Sequence, residues 1–143
     1  MKKILCATDH SELAHKAEVI AANWAKDLGA ELIYAFVSQI MDAGISVVRR
    51  GSSMTILKET ALQEHEVLNH PKEVAAEADI PEPQCVLLRS RKIAFALIEY
   101  ANKNGVDHIV IGSTDRAGIP NLGLGSVASK VVKAASCAVT VVR

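Results

Sequence analysis

Two hydrophobic periods alternate along the chain. Ile4-Leu5-Cys6-Ala7-Thr8 is a short apolar run closed by Asp9, as expected of a strand buried on both faces. Asp9-His10-Ser11 is polar and suited to capping a helix. Ala14, Ala17, Val19, Ile20, Ala21, Trp24, Ala25 and Leu28 then recur at helical spacing, and Gly29 supplies a C-terminal stop. Leu32 to Val37 predicts a second strand. Ser38 to Ser53 lacks a period and is expected to be a long loop or the frayed start of a helix, with Arg49-Arg50-Gly51 as its exposed tip. Met54 to about Ala78 predicts a helix with Leu57, Ala61, Leu68 and Ala75 inward. Pro71 should kink it, because its ring collides with the carbonyl of Val67. After Pro81 and Pro83 come a strand at Cys85 to Leu88, a helix carrying Ile93, Leu97, Ile98 and Ala101, and a strand at Ile109 to Ile111. A helix with Val127, Val131, Val132 and Ala135 precedes the last strand, Ala138 to Val142.

Five strands alternating with four helices predict an α/β domain over residues 1–143, with a parallel sheet covered on both faces. Half the residues are hydrophobic but only 3% are aromatic, so the core must be aliphatic. Lys plus Arg and Asp plus Glu balance at 16 each, which leaves no global field for nucleic acid or an anionic membrane. The three cysteines, Cys6, Cys85 and Cys137, lie in or beside predicted strands without C-x-x-C spacing and read as small hydrophobes. No stretch approaches a membrane span or a signal peptide, so a cytoplasmic location is expected.

The candidate chemistry lies between His108 and Ser126. An apolar strand leads into a stretch holding Gly112, Gly118, Gly123 and Gly125, and Ser126 opens a helix. Strand, glycine-rich loop and helix N-terminus together offer backbone N–H groups and a positive dipole end to an anion. The expectation is a phosphate cradle.

Three segments here resemble the universal stress protein family. They are Thr8-Asp9-His10-Ser11-Glu12 after the first strand, Gly105 to Ser113 through the fourth, and Ala134 to Val139 before the last. In the ATP-binding branch of that family the pattern is G-x2-G-x9-G-[ST]. Gly112, Gly125 and Ser126 match it, and Asp115 stands in place of the second glycine. The resemblance implies a three-layer α/β/α fold of the adenine-nucleotide alpha-hydrolase-like type, with strand order 3-2-1-4-5. It implies a homodimer through the last strand, Ala138 to Val142, whose exposed β-branched edge invites pairing on its own account. It also implies a cleft between the ends of strands one and four that takes ATP or another adenine nucleotide. Ala7, Thr8 and Asp9 would meet the adenine or ribose end, and Val37 would pack on the base. Gly112, Gly125, Ser126 and Val127 would follow the phosphates. Asp115 would repel a triphosphate by about 4 kcal/mol at 4 Å and an effective dielectric near 20, unless Mg²⁺ bridged them.

The function expected is a dimeric regulator of stress response with protein partners, without catalytic residues and with little or no hydrolysis. The alternative is an interaction module of the same fold that has lost the nucleotide because of Asp115. Enzymatic adenylyl transfer is a distant third. Asp9-His10-Ser11 cannot form a catalytic relay, because three consecutive residues do not converge. No G-x4-G-K-[ST] occurs, and Arg89-Ser90 after the third strand rules out a phospho-acceptor site. Arg89, Arg91 and Lys92 read as a solvated basic turn. Asp9 could equally cap the first helix. His10 and His15 share a helix face only loosely and do not by themselves make a zinc site.

Overall fold

Lys3–Thr8 forms β1 in the computed structural model, which describes residues 1–40, 46–50, 53–56, 66–113 and 123–143. The remaining elements are α1 (Glu12–Leu28), β2 (Glu31–Ile40), β3 (Ser46–Arg50), β4 (Ser53–Ile56), α2 (Asn69–Glu77), β5 (Gln84–Ser90), α3 (Ile93–Lys103), β6 (His108–Gly112), α4 (Ser126–Ala134) and β7 (Ala138–Val142). Five strands are parallel in the order β5-β2-β1-β6-β7, which is 3-2-1-4-5 counted along the parallel strands. Ala7 pairs with Ala35 on one side and Ile111 on the other, so β1 is central.

The two faces of the sheet follow the strand period. Ile4, Cys6, Leu32, Tyr34, Phe36 and Val110 pack under α1 and α2. Leu5, Ala7, Ile33, Ala35, Ile109 and Ile111 pack under α3 and α4. The inner stripe of α1 is almost all alanine (Ala14, Ala17, Ala21, Ala22, Ala25), which brings its backbone close to the sheet. Ser11, not Asp9, caps α1: its Oγ accepts from the Ala14 N–H at 3.1 Å. Asp9 Oδ1 accepts the Ser11 N–H at 2.9 Å, which fixes the turn before the helix. At the other end Gly29 takes a left-handed φ of 60° and terminates α1.

Three expectations are corrected. Ser38 to Ile40 continues β2, and Ser46–Arg50 with Ser53–Ile56 forms an antiparallel hairpin. The hairpin joins the sheet through Gln39↔Val47 and Ile40↔Ser46. Met54 therefore begins no helix. Val47, Val48, Thr55 and Ile56 favour extended backbone, and that preference outweighs the helical spacing of Met54 and Leu57. Leu57 and Ala61 fall outside the described residues. Pro71 sits in the first turn of α2, where its missing N–H costs nothing, and Val67-Leu68 form a turn before it. The expected kink is a helix start.

Cys6 is fully buried, and burial with the nearby Glu18 carboxylate pushes its thiol well above the ordinary range. Burial also raises Cys85 and Cys137. A disulfide-exchange reagent at pH 7 should label Cys6 only after unfolding. Fast native labelling of Cys6 would contradict this packing.

Candidate functional site

At the C-terminal end of the sheet, β1 has β2 on one side and β6 on the other, and the chain leaves β1 toward α1 and β6 toward α4, on opposite faces. Ligands of open α/β sheets sit at this reversal. A cleft opens there. Its strand side is Ala7, Thr8 and Asp9 from β1 and its exit, with Ala35 and Val37 from β2 and Ile111 and Gly112 from β6. Its helix side is Ala14, Ile93, Leu97 and the first turn of α4, Ser126, Val127 and Ala128. Seven of the residues singled out in the sequence thus come together: Ala7, Thr8, Asp9, Val37, Gly112, Ser126 and Val127.

The others stand differently. Gly125 is the N-cap residue of α4, and its N–H donates to Ser113 Oγ at 3.1 Å. Asp115 lies outside the described residues, as does Gly118. Gly112 is needed for packing whatever the cleft holds. A Cβ there would lie 2.7 Å from the carbonyl carbon of Leu13 and 2.8 Å from the nitrogen of Ala14, both backbone atoms of α1.

The N-terminus of α4 is the polar feature of the cleft. No side chain caps it among the described residues. The first intrahelical bond runs from Ser129 N–H to Gly125 O at 2.9 Å. The N–H groups of Ser126, Val127 and Ala128 therefore have no intrahelical acceptor, and these three residues line the cleft. Asp9 is the only ionisable group among the lining residues that are described.

Two features escaped the sequence reading. Ser113 is buried and ties the end of β6 to the start of α4. Its N–H donates to Val142 O at 2.8 Å, and its Oγ accepts from Gly125 while reaching Gly123 O at 3.5 Å. A small polar residue directly after an apolar strand is the signal that could have found it. Ser113→Ala leaves the buried Gly125 N–H without an acceptor, at a cost of about 1–3 kcal/mol. Urea unfolding should show that loss, and an unchanged midpoint would contradict the role. The second feature is an adjoining groove that shares Ile93, Ser126 and Val127 with the cleft and carries Arg91, Lys92 and Lys130. The basic turn after β5 therefore lies beside the α4 N-terminus, and Lys130 joins it one helical turn along α4.

Fold and cleft define a doubly wound α/β domain with an anion-oriented helix N-terminus at its strand-order reversal. The family profile described as "Universal stress protein family" matches residues 1–143, and the chain belongs to that family. It is 32% identical to Universal stress protein MJ0531 of Methanocaldococcus jannaschii, over 99% of this chain and 82% of that protein. It is 30% identical to Universal stress protein YxiE of Bacillus subtilis, over 99% of this chain and 98% of that protein. Among solved structures it shares its fold with a universal stress protein in complex with cAMP, at a TM-score of 0.73 and 20% identity over 99% of this chain and 96% of that one. The universal stress protein of Archaeoglobus fulgidus in complex with dAMP gives a TM-score of 0.72 at 20% identity, over 100% of this chain and 98% of that one. No helix among the described residues is long and apolar enough to cross a membrane.

Proposed function

We propose that this chain binds an adenine nucleotide in the cleft and acts as a cytoplasmic regulator of stress response rather than as an enzyme. The observation that carries the reading is convergence: residues from β1, β2, β6 and α4 meet around one cleft whose polar wall is an uncapped helix N-terminus. Ala7, Ala35 and Val37 offer an apolar wall for the base. The Asp9 carboxylate suits the ribose hydroxyls, which donate to it. Phosphate oxygens fit the N–H groups of Ser126 and Val127 and the Ser126 hydroxyl. Arg91, Lys92 and Lys130 in the adjoining groove favour further negative charge. Among the described lining residues Asp9 is the one ionisable group, and the cations stand in the adjoining groove, so the cleft itself offers no cation to the charge that develops on a transferring phosphoryl group. Relatives of the same fold in complex with cAMP and dAMP support the choice of adenine nucleotides.

Isothermal titration of the full chain with AMP, cAMP and ATP, each with and without Mg²⁺, tests this. At least one should bind with a Kd in the micromolar range, roughly −8 kcal/mol, and Asp9→Ala should weaken it. Absence of binding by all three would favour the second reading, an interaction module without nucleotide. That reading has its own support, because Gly112 is required by packing and the Gly125 N–H is already bonded. A Mg²⁺ requirement for ATP alone would support a bridging role for Asp115.

The partner surface proposed is β7. Among the described residues it pairs with β6 on one side and ends the sheet, and Val139, Thr140 and Val141 are half-buried. A second copy joined at this edge would pair the open ladder. Sedimentation velocity at micromolar concentration should give twice the 15.3 kDa chain mass, and a single 15.3 kDa species would remove the homodimer.

A further inference from the structure

On the opposite face of the sheet from the cleft's apolar wall, α1 and α2 bring together three metal-ligating side chains, two of them on α1 and the third 52 residues after Glu18. His15 and Glu18 are one turn apart on α1, and His70 is in the first turn of α2. One ligand atom from each lies within 4.8 Å of the other two. We propose that His15, Glu18 and His70 form a binding site for a divalent transition metal, with Zn²⁺ the ion their donors fit.

Four observations carry this. Glu18 is fully buried, an unusual place for a carboxylate without a cation. Its Oε2 lies 2.7 Å from His70 Nδ1, and its Oε1 accepts from the Thr8 hydroxyl, so one oxygen is oriented by Thr8 and the other faces the histidines. Hydrogen bonding of a ligating carboxylate in this way is usual at metal sites. His15 Nε2 is buried and has no hydrogen-bond partner among the described residues. The His70 side chain is 43% exposed, which gives an ion a way in.

Two imidazoles and a carboxylate, with water in the fourth position, suit Zn²⁺ rather than Mg²⁺ or Ca²⁺, which prefer oxygen alone. Tetrahedral Zn²⁺ with bonds of about 2.1 Å needs ligand atoms roughly 3.4 Å apart. Glu18 Oε2 and His70 Nδ1, in contact at 2.7 Å, and the His15 and His70 rings, with centroids 4.1 Å apart and planes at 31°, must therefore separate by side-chain rotation to admit the ion. Thr8 touches both this cluster and the cleft, but the proposal does not depend on a nucleotide.

The test uses the untagged full chain, stripped with a chelator and titrated with Zn²⁺ alone. One Zn²⁺ per chain should bind. His15→Ala and His70→Ala should each weaken it at least tenfold, and His15→Gln and His70→Gln, which keep volume, should do the same. His108→Ala, on β6, should bind as the unchanged chain does. Co²⁺ in place of Zn²⁺ should give weak visible bands without an intense thiolate charge-transfer band. Absence of saturable binding, unweakened affinity in all four His15 and His70 variants, or a thiolate band placing the metal on a cysteine would each overturn the proposal.

Discussion

Glu18→Ala should unfold at much lower urea than the unchanged chain, with a loss of about 2–5 kcal/mol, the range for truncating a fully buried large side chain to alanine. The side chain is fully buried in the middle of the alanine stripe of α1. Its carboxylate accepts from Thr8 and meets His70 Nδ1 at 2.7 Å. Truncation leaves the Thr8 hydroxyl in an apolar surround without its acceptor and opens a cavity beneath α1. The Tyr34 hydroxyl is unaffected, because it donates to the Glu18 backbone carbonyl at 3.1 Å. A double variant, Thr8→Val with Glu18→Leu, should lose less than Glu18→Ala, because both members of the buried hydrogen bond leave together and volume is kept. Lys26 and Asp79, also in contact at 2.5 Å, are exposed, so Asp79→Ala should leave the urea midpoint almost where it was. Equal losses for Glu18→Ala and Asp79→Ala would refute the buried role.

Gly112→Ala is the second large effect expected. The added methyl would sit 2.7 Å from Leu13 C, 2.8 Å from Ala14 N and 2.9 Å from Leu13 O. All three are backbone atoms of the first turn of α1, so no side chain can swing aside. Either β6 or the start of α1 must move. Overpacking of this kind costs about 1–3 kcal/mol and occasionally more, roughly 3–10 °C in Tm for a chain of this length. The same displacement would shift Ala14 and Gly112, both of which line the cleft. Ligand affinity should therefore fall along with stability. By contrast, Ser126→Ala at the exposed start of α4 should leave Tm almost unchanged and act on affinity alone. A Gly112→Ala variant as stable as the unchanged chain would show that α1 and β6 are not in such close contact.

The five parallel strands and the helices α1, α3 and α4 were legible because each is a local pattern. Ile4 to Thr8, Ile109 to Ile111 and Ala138 to Val142 are apolar runs, and Gly29 marks a helix end whatever surrounds it. The cleft was legible through the family resemblance, which implied the strand order, and its residues fall at strand ends and at one helix start, where that order brings them together. The β3–β4 hairpin was not legible, because Met54 and Leu57 mimic a helical period while the deciding contact, Gln39↔Val47, is made with β2. Ser113 gave only a faint signal: its role depends on Gly125, 12 residues away. Glu18 could have been noticed, since it stands four residues after Ala14 inside the buried stripe of α1. Its partner His70 is 52 residues distant, and no spacing rule connects them.

On the reading proposed above, the first amides of α4 hold a phosphate beside the exit of β1. Amide chemical shifts report this directly. On addition of AMP to isotope-labelled protein, the N–H resonances of Ser126, Val127 and Ala128 should move saturably, and with adenosine, which lacks the phosphate, they should move far less. Shifts that AMP and adenosine produce equally, or that leave Ser126 to Ala128 untouched, would contradict it.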